Sequence, residues 1–455
     1  MNAGPASSQA PQPLLRHRDA IAIIVGIVIG AGIFKTPSMV AGVTGDSGWL
    51  AVAWLLGAVV SLAGALCYAE LATTYPHAGG DYHFLTRAWG RRASFLYAWA
   101  RATVINTGSI ALLAFVFGDY MAKVVPLGAM GGALWAALIV VALTVVNIAG
   151  LRASSRTQNL LTVFEVAALL AVAIAGFLAP PVAPAAAGAA AFSTTPALGM
   201  FGLAMVFVLL TYGGWNEAAY ISAELQGGRR AIVPVLVVSL AILAGVYLLV
   251  NLALLSGLGL KGLADSKAAG ADVMARTFGE GGAKALSMFV AVAALTSINA
   301  TMIVGARTNY ALGRDWPALR FMGGWHATRG TPVAALLVQG AIALALVAFG
   351  ALQQDGFEAM VEFTAPVFWT FLLLVGLALF RLRATDRAAE RPFRVPLYPV
   401  TPIVFCAACA WLAWSSITYA ASRNAVHVSL IVMAAGVVAL FFTGAKRSRE
   451  AAGDA

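Results

Sequence analysis

The chain has 455 residues, of which 61% are hydrophobic and only 11% charged, with a mean hydropathy of +0.85. A soluble domain carries about 25% charged residues, so this composition excludes a soluble enzyme or binding module and implies an integral membrane protein whose main surroundings are a lipid bilayer. The net charge of +10 invites a nucleic-acid reading, but the basic residues sit in short loops between apolar runs, so no nucleic-acid partner is expected.

Residues 1–18 are rich in Ala, Pro, Ser and Gln and read as a disordered cytoplasmic tail. The first apolar run, 20–43, is too long for the core of a cleaved leader and reads as a retained span. Further runs follow at 49–74, 94–123, 131–150, 158–179, 198–223, 232–257, 284–306, 332–352, 359–380, 400–420 and 425–443. Each is long enough to cross a ~30 Å core as a tilted helix, which predicts about twelve transmembrane helices in an all-α integral membrane fold.

The connecting segments set the topology. One side collects Arg16 and Arg18, Arg87, Arg91 and Arg92, Arg152 and Arg156, Arg229 and Arg230, Arg307 to Arg329, Arg381 to Arg394, and Lys446 to Arg449. The other side has only Lys123, Lys261, Lys267, Arg276, Lys284 and Arg423. Cytoplasmic loops carry the Lys/Arg excess, so both termini are expected in the cytoplasm of a multi-pass protein of the cell membrane.

Several connections carry more detail. Residues 75–92 read as a turn and a short amphipathic helix, and 180–196 as an Ala/Pro-rich external linker. Residues 258–283 read either as a short external helix, a candidate lid, or as an ordinary loop. The resulting divisions are 19–179 and 197–383 for two five-helix halves, 384–399 for a cytoplasmic loop, 400–443 for two additional helices and 444–455 for a cytoplasmic tail.

Two stretches interrupt their spans. Val25 to Phe34 holds Gly26, Gly30 and Gly32, and Thr211 to Asn216 holds Gly213 and Gly214. Glycine in a helix interior costs about 1 kcal/mol relative to alanine, so helices broken at these points are predicted. Paired breaks in two halves point to the substrate site of a secondary transporter.

A broken helix exposes about four unpaired N–H or C=O groups at each new end. N–H groups around Gly30, Ala31 and Gly32 suit a carboxylate, while the carbonyls of Ile27, Val28, Ile29, Leu210, Thr211 and Tyr212 suit an ammonium. A zwitterionic α-amino acid satisfies both. The competing reading of Gly26-x-x-x-Gly30 as a helix-packing face explains the first stretch but not the adjacent Gly213 and Gly214.

Enzymatic signals are missing. Cys67, Cys406 and Cys409 fall within spans, the five histidines form no cluster, and neither a nucleophile elbow nor a phosphate loop is present. No enzyme, metal or cofactor is expected.

Gly26 to Phe34 followed by Thr36-Pro37, Tyr68-Ala69-Glu70-Leu71, Tyr75-Pro76 with Gly79-Gly80, Tyr97-Ala98-Trp99, Tyr212 to Asn216 with Glu224, and Ser297-Ile298-Asn299 with Arg307 resemble the amino acid/polyamine/organocation superfamily, its L-type amino acid transporter branch in particular. The resemblance runs from about 19 to 443. It implies a LeuT-like fold: two inverted five-helix repeats with broken first and sixth helices, plus two extra helices. It further implies an amino acid permease working by alternating access, proton-coupled or as an exchanger, with a polyamine or cationic amino acid transporter of the same fold as the alternative. The implied substrate site takes in Ile27, Ile29, Gly30, Ala31, Gly32, Leu210, Tyr212, Gly213, Gly214, Trp215, Asn216 and Asn299. Leu210 stands where many relatives have a bulky aromatic gate. Glu165 stands where some have a coupling lysine. The connection from Val124 to Gly131 lacks the cysteine that links animal relatives to a glycoprotein, so no disulfide-linked heavy subunit is expected.

Ionisable groups inside spans are functional candidates by default. Glu165 reads as a proton-coupling group or as a fixed partner of Arg101. Glu217 reads as a selector of cationic substrate or as a packing residue. Lys35, beside the first break, is expected to snorkel to the outer surface rather than contact ligand. Arg101 is expected to pair internally, and Glu70 and Glu224 to serve an inner gate or packing. Thr296 and Ser297 resemble the pair that holds sodium in distant members, or else bond back to the preceding turn. Trp215 reads as a wall or gate of the site, and Asn216 and Asn299 as facing a wet pathway.

Overall fold

The computed structural model of the chain describes residues 17–77, 80–150, 155–180, 182, 191–218, 232–326, 328–422 and 426–442. Among these the regular structure is helical, apart from one isolated bridge between His326 and Thr331. The expected tails beyond 17–442, together with Glu224, Arg152, Arg229 and Arg230, lie outside the described residues, as do the side chains of Ile27 and Glu217.

The helices are α1 (His17–Val28), α2 (Thr36–Thr44), α3 (Ser47–Thr74), α4 (Asp81–Trp89), α5 (Arg91–Ala100), α6 (Asn106–Val124), α7 (Gly131–Ile148), α8 (Ser155–Leu178), α9 (Leu198–Thr211), α10 (Trp215–Ala218), α11 (Ile232–Ala264), α12 (Ala269–Asp315), α13 (Val333–Ala351), α14 (Gly356–Thr385), α15 (Val400–Ser422) and α16 (Val426–Phe442). Among the described residues eight helical segments are long and apolar enough to cross a membrane, and shorter apolar helices cover Glu165–Leu178, Leu198–Thr211 and His427–Phe441. Their mean hydropathy and length make the protein a multi-pass membrane protein.

Two departures from regular helix lie outside the predicted breaks. Between α5 and α6 a π-helical turn spans Arg101–Ile105, so the third apolar run is continuous from Arg91 to Val124 but widened and under-wound at that turn. Such insertions occur mostly as single turns and leave no glycine or proline signature in the sequence. The segment 258–283 does fold as helix, bent where Gly259 and Gly279 take left-handed angles (φ 70° and 71°) that side chains resist.

The connection 180–196 is more than the linker expected from its composition. Asp46, at the start of α3, accepts from its own Gly48 and Trp49 N–H groups and from the N–H groups of Phe192, Ser193 and Thr194. The Phe192 ring meets Trp49 edge-on at 5.9 Å. This end of the connection is therefore fastened to the bundle.

One helix is tied at each end. Asp355, the N-cap of α14, accepts the Glu358 N–H at 3.0 Å and pairs with Lys35 at 3.2 Å. Near the other end of α14, Arg383 makes a two-pronged pair with the buried Glu70 of α3, through Nε at 2.7 Å and through Nη2. Glu70 also accepts the Val395 N–H at 2.6 Å. Beside it Asp386 accepts from Tyr75 and Arg87, both at 3.1 Å. Glu70 is thus a packing and tying residue.

Candidate functional site

Both predicted breaks are present. α1 ends at Val28, the Ile29 N–H still reaches the Val25 carbonyl at 2.8 Å, and Gly30 is extended (φ −121°, ψ 179°). A 3-10 turn over Ala31–Phe34 follows, and after Lys35 the chain re-enters helix as α2, with Pro37 in its first turn. A turn this short supplies no acceptor within itself for its first N–H groups. The donors at Ala31 and Gly32 therefore point out of it.

The second break is tighter. Tyr212 keeps helical angles, the Gly213 N–H bends back to the Leu210 carbonyl at 3.2 Å, and Gly214 takes φ 107° before α10 starts at Trp215. Adding a Cβ to Gly213 would bring it 2.9 Å from the Leu210 oxygen. The adjacent glycines are thus required by the backbone path itself.

The two breaks face one another. Thr211 Oγ1 donates to Thr36 Oγ1 at 2.8 Å, and a Cβ on Gly32 would lie 3.9 Å from that same Thr211 oxygen. Ser297 of α12 closes a further side, with Oγ 3.9 Å from the Cβ position of Gly30. Gly32 of the first break thus stands beside Thr211 of the second, and Gly30 beside Ser297.

Two of the carbonyls offered to an ammonium by the sequence reading have a different partner. The hydroxyl of Tyr247, a fully buried residue of α11, lies 3.0 Å from the Val28 oxygen and 3.2 Å from the Thr211 oxygen. Its ring is held edge-on by Trp54 and Tyr212, at 5.6 and 5.0 Å. The Leu210 carbonyl is likewise occupied, by Gly213.

Lys35 does not snorkel. Its side chain is fully buried, and its ammonium is ringed by Asp119 Oδ2 at 2.9 Å, Asp355 Oδ2 at 3.2 Å and the Lys267 carbonyl at 3.3 Å. Three acceptors meet the three N–H bonds of the ammonium. The expectation failed because snorkelling presumes no nearby counter-charge, and a lysine flanked by two carboxylates gains more by pairing. The sequence reading misses Asp119, although an acidic residue inside the predicted third span is the signal by which it could have been found.

Asn299 is also turned elsewhere. Its Oδ1 accepts from Asn147 Nδ2 of α7 at 2.8 Å, and two residues of α-helix place it about 200° around α12 from Ser297. Thr296 is within hydrogen-bond reach of Glu165, while its own Oγ1 donates to the Ala293 carbonyl at 2.7 Å. Arg101 donates to Tyr97 Oη at 3.1 Å, which in turn stands 2.9 Å from Asp81.

Trp215 packs its ring against Tyr68 at 5.2 Å, over Gly64, where a Cβ would strike the indole at 2.6 Å. With Asn216, Gly213, Ser61 and Phe368 it lines a crevice that has room for about one water molecule. Tyr247, Asp119, Asp355 and Asn147 are thus the site neighbours that periodicity did not single out, because each contact spans distant parts of the chain.

The family model described as amino acid permease matches residues 15–441. Among curated proteins, the chain is 29% identical over 445 residues to the Asc-type amino acid transporter 1 of Mus musculus, covering 93% of this chain and 80% of that one. It is 28% identical over 387 residues to the b(0,+)-type amino acid transporter 1 of Mus musculus (83% and 77% covered). It is 26% identical over 401 residues to the serine/threonine exchanger SteT of Bacillus subtilis (strain 168), with 88% and 90% covered.

Proposed function

The chain belongs to the amino acid permease family and transports amino acids, and from that premise we propose that it does so by alternating access, with the α-amino and α-carboxyl groups of its substrate held between the two helix breaks. The observation that carries this reading is the approach of the two breaks, with Gly32 beside Thr211, Thr211 bonded to Thr36, and Gly30 beside Ser297. Free N–H groups at Ala31 and Gly32 serve the carboxylate, and the carbonyl left over by the single Tyr247 proton serves the ammonium.

In this reading the helices form a LeuT-like pair of inverted five-helix repeats with α15 and α16 added. α1 with α2 forms the first span, and α9 and α10, on either side of the second break, belong to the sixth. The Lys35 end of α14 faces outward and the Glu70 end faces the cytoplasm, as the distribution of Arg and Lys requires. The protein acts without a disulfide-linked heavy subunit.

Glu165 is the proposed coupling group. Its carboxyl is buried, with the Thr296 hydroxyl, itself bonded to the Ala293 carbonyl, as its one side-chain hydrogen-bond partner among the described residues, and a carboxyl so placed suits a proton carrier. Proton movement on and off Glu165 then accompanies net transport, while exchange proceeds without it.

Uptake of labelled neutral and basic amino acids into vesicles tests the reading, with proton and sodium gradients imposed separately and with unlabelled amino acid inside. Saturable uptake stimulated by internal amino acid or by an inward proton gradient is expected. Uptake of none of the α-amino acids, or driven by sodium alone, overturns it, and preference for polyamines moves the substrate class to cations.

A further inference from the structure

The Lys35 cluster joins three parts of the bundle that alternating access must separate on the outward side. Lys35 belongs to the turn between the halves of the first span, Asp119 to α6, and Asp355 to the turn before α14. The covering segment adds the Lys267 carbonyl. Substrate reaching the first break from this side has to pass a fully buried ammonium.

The charges in the cluster are uneven. Two carboxylates share the one bonded ammonium, and the distances place their oxygens no more than about 6 Å apart. Asp355 has its second oxygen committed to the Glu358 N–H. Among the described residues the other charged groups nearby are Lys267 of the segment 258–283, the Lys123–Asp272 pair, closed at 2.8 Å, and Glu358, whose carboxylate accepts from Tyr419 at 2.7 Å. Tyr120, next to Asp119, is engaged with the Phe34 carbonyl at 2.9 Å. Two like charges at such a distance in a partly dehydrated site do not both stay ionised once their cation leaves.

We propose that Asp119 and Asp355 form a proton-accepting pair at the outward gate: when the outer half of the first span carries Lys35 away, one proton from the outer solution replaces it, so that acid favours opening toward the outside. The proton enters from external water, rests on one carboxyl oxygen while the gate is open, and returns to external water when the ammonium re-forms its pairs. No proton crosses the membrane in this step, which separates it from coupling at Glu165. The proposal rests on the alternating-access reading and on the Lys35 end facing outward.

The test is exchange of a labelled neutral amino acid into cells preloaded with the unlabelled one, with inner pH clamped and outer pH stepped from about 7.5 to about 5.5. The wild-type KM on the outer side should fall about fivefold or more, whereas Asp119→Asn and Asp355→Asn should hold the two values within about twofold. Lys35→Arg should keep the wild-type response and Lys35→Met should weaken it, because without the ammonium the pair keeps its proton in both states. Glu165→Gln should retain the response of the outer KM. Where an Asn variant no longer exchanges, binding of the labelled amino acid to the purified full-length protein at the same two pH values gives the same ratio. A wild-type KM indifferent to outer pH, or Asn variants that keep the wild-type ratio, overturns the proposal; absence of any amino acid exchange by the wild type overturns instead the functional reading beneath it.

Discussion

The Tyr247 hydroxyl stands 3.0 Å from the Val28 carbonyl oxygen, and with the Thr211 oxygen at 3.2 Å one side chain of α11 fastens the first halves of both interrupted helices. Tyr247→Phe keeps the ring contacts with Trp54 and Tyr212 but removes the single proton that the two carbonyls share. Leaving a buried carbonyl without its donor costs about 1–3 kcal/mol. The expected outcome is an unfolding midpoint lowered by several degrees in detergent, together with reduced uptake per folded molecule; a variant equal to wild type in both would show that the two helix ends need no tie.

Gly30→Leu should abolish binding, because the new side chain grows out of the first break toward Ser297. Gly214→Leu should do the same through the backbone, since φ 107° is closed to a branched residue. Both variants are expected in the membrane in folded form, measured by gel filtration in detergent, with saturable binding lost. Wild-type uptake by both would remove the site.

Asp46 ties the chain on both sides of α3. Burial alone would raise its carboxyl, but the N–H groups of Phe192, Trp49, Thr194 and Gly48 outweigh that and hold it at about 2. The ordinary value in an unfolded chain is about 3.9. A carboxyl lowered on folding contributes stability above the unfolded value and loses it as pH falls through the folded one, so this contribution disappears between about pH 4 and pH 2. Asp46→Ala should lower the unfolding midpoint near neutral pH and flatten its fall across that window.

The pair of Glu70 with Arg383 should behave as a buried pair does. Removing one partner costs about 3–5 kcal/mol because the other charge is left without compensation, whereas removing both is far milder. Glu70→Gln alone is expected to destabilise strongly, and Glu70→Gln with Arg383→Met to recover most of the loss. Additive effects in this double-mutant cycle would show that the two groups act independently.

Glu165→Gln should lose accumulation driven by an inward proton gradient while retaining exchange at equal pH. Side-by-side measurement of net uptake and exchange in vesicles checks it. Unchanged gradient-driven accumulation rejects Glu165 as the coupling group.

What could be read from the sequence was what is local in the chain. The breaks announce themselves as glycines inside apolar runs, because backbone freedom is a property of the residue itself. The amphipathic α4 follows in the same way, whereas residues 258–283 read equally well as a short helix or as an ordinary loop. Lys35, by contrast, finds its partners 84 and 320 residues away, and Asn299 finds Asn147 across 152. Hydrophobic periodicity reports which face of a helix is apolar, and it says nothing of which neighbour will stand opposite. The π-helical turn at Arg101–Ile105 was illegible for a different reason, since it inserts a residue without changing composition.

Arg383 follows Asp355 by 28 residues, or roughly 42 Å of helix, and each end of α14 is fastened to a different partner. A rod held at both tips pivots when either fastening lets go, and the one that remains is its fulcrum. Under the alternating-access reading proposed above, opening one mouth of the protein relies on the other staying shut, and passage is by turns.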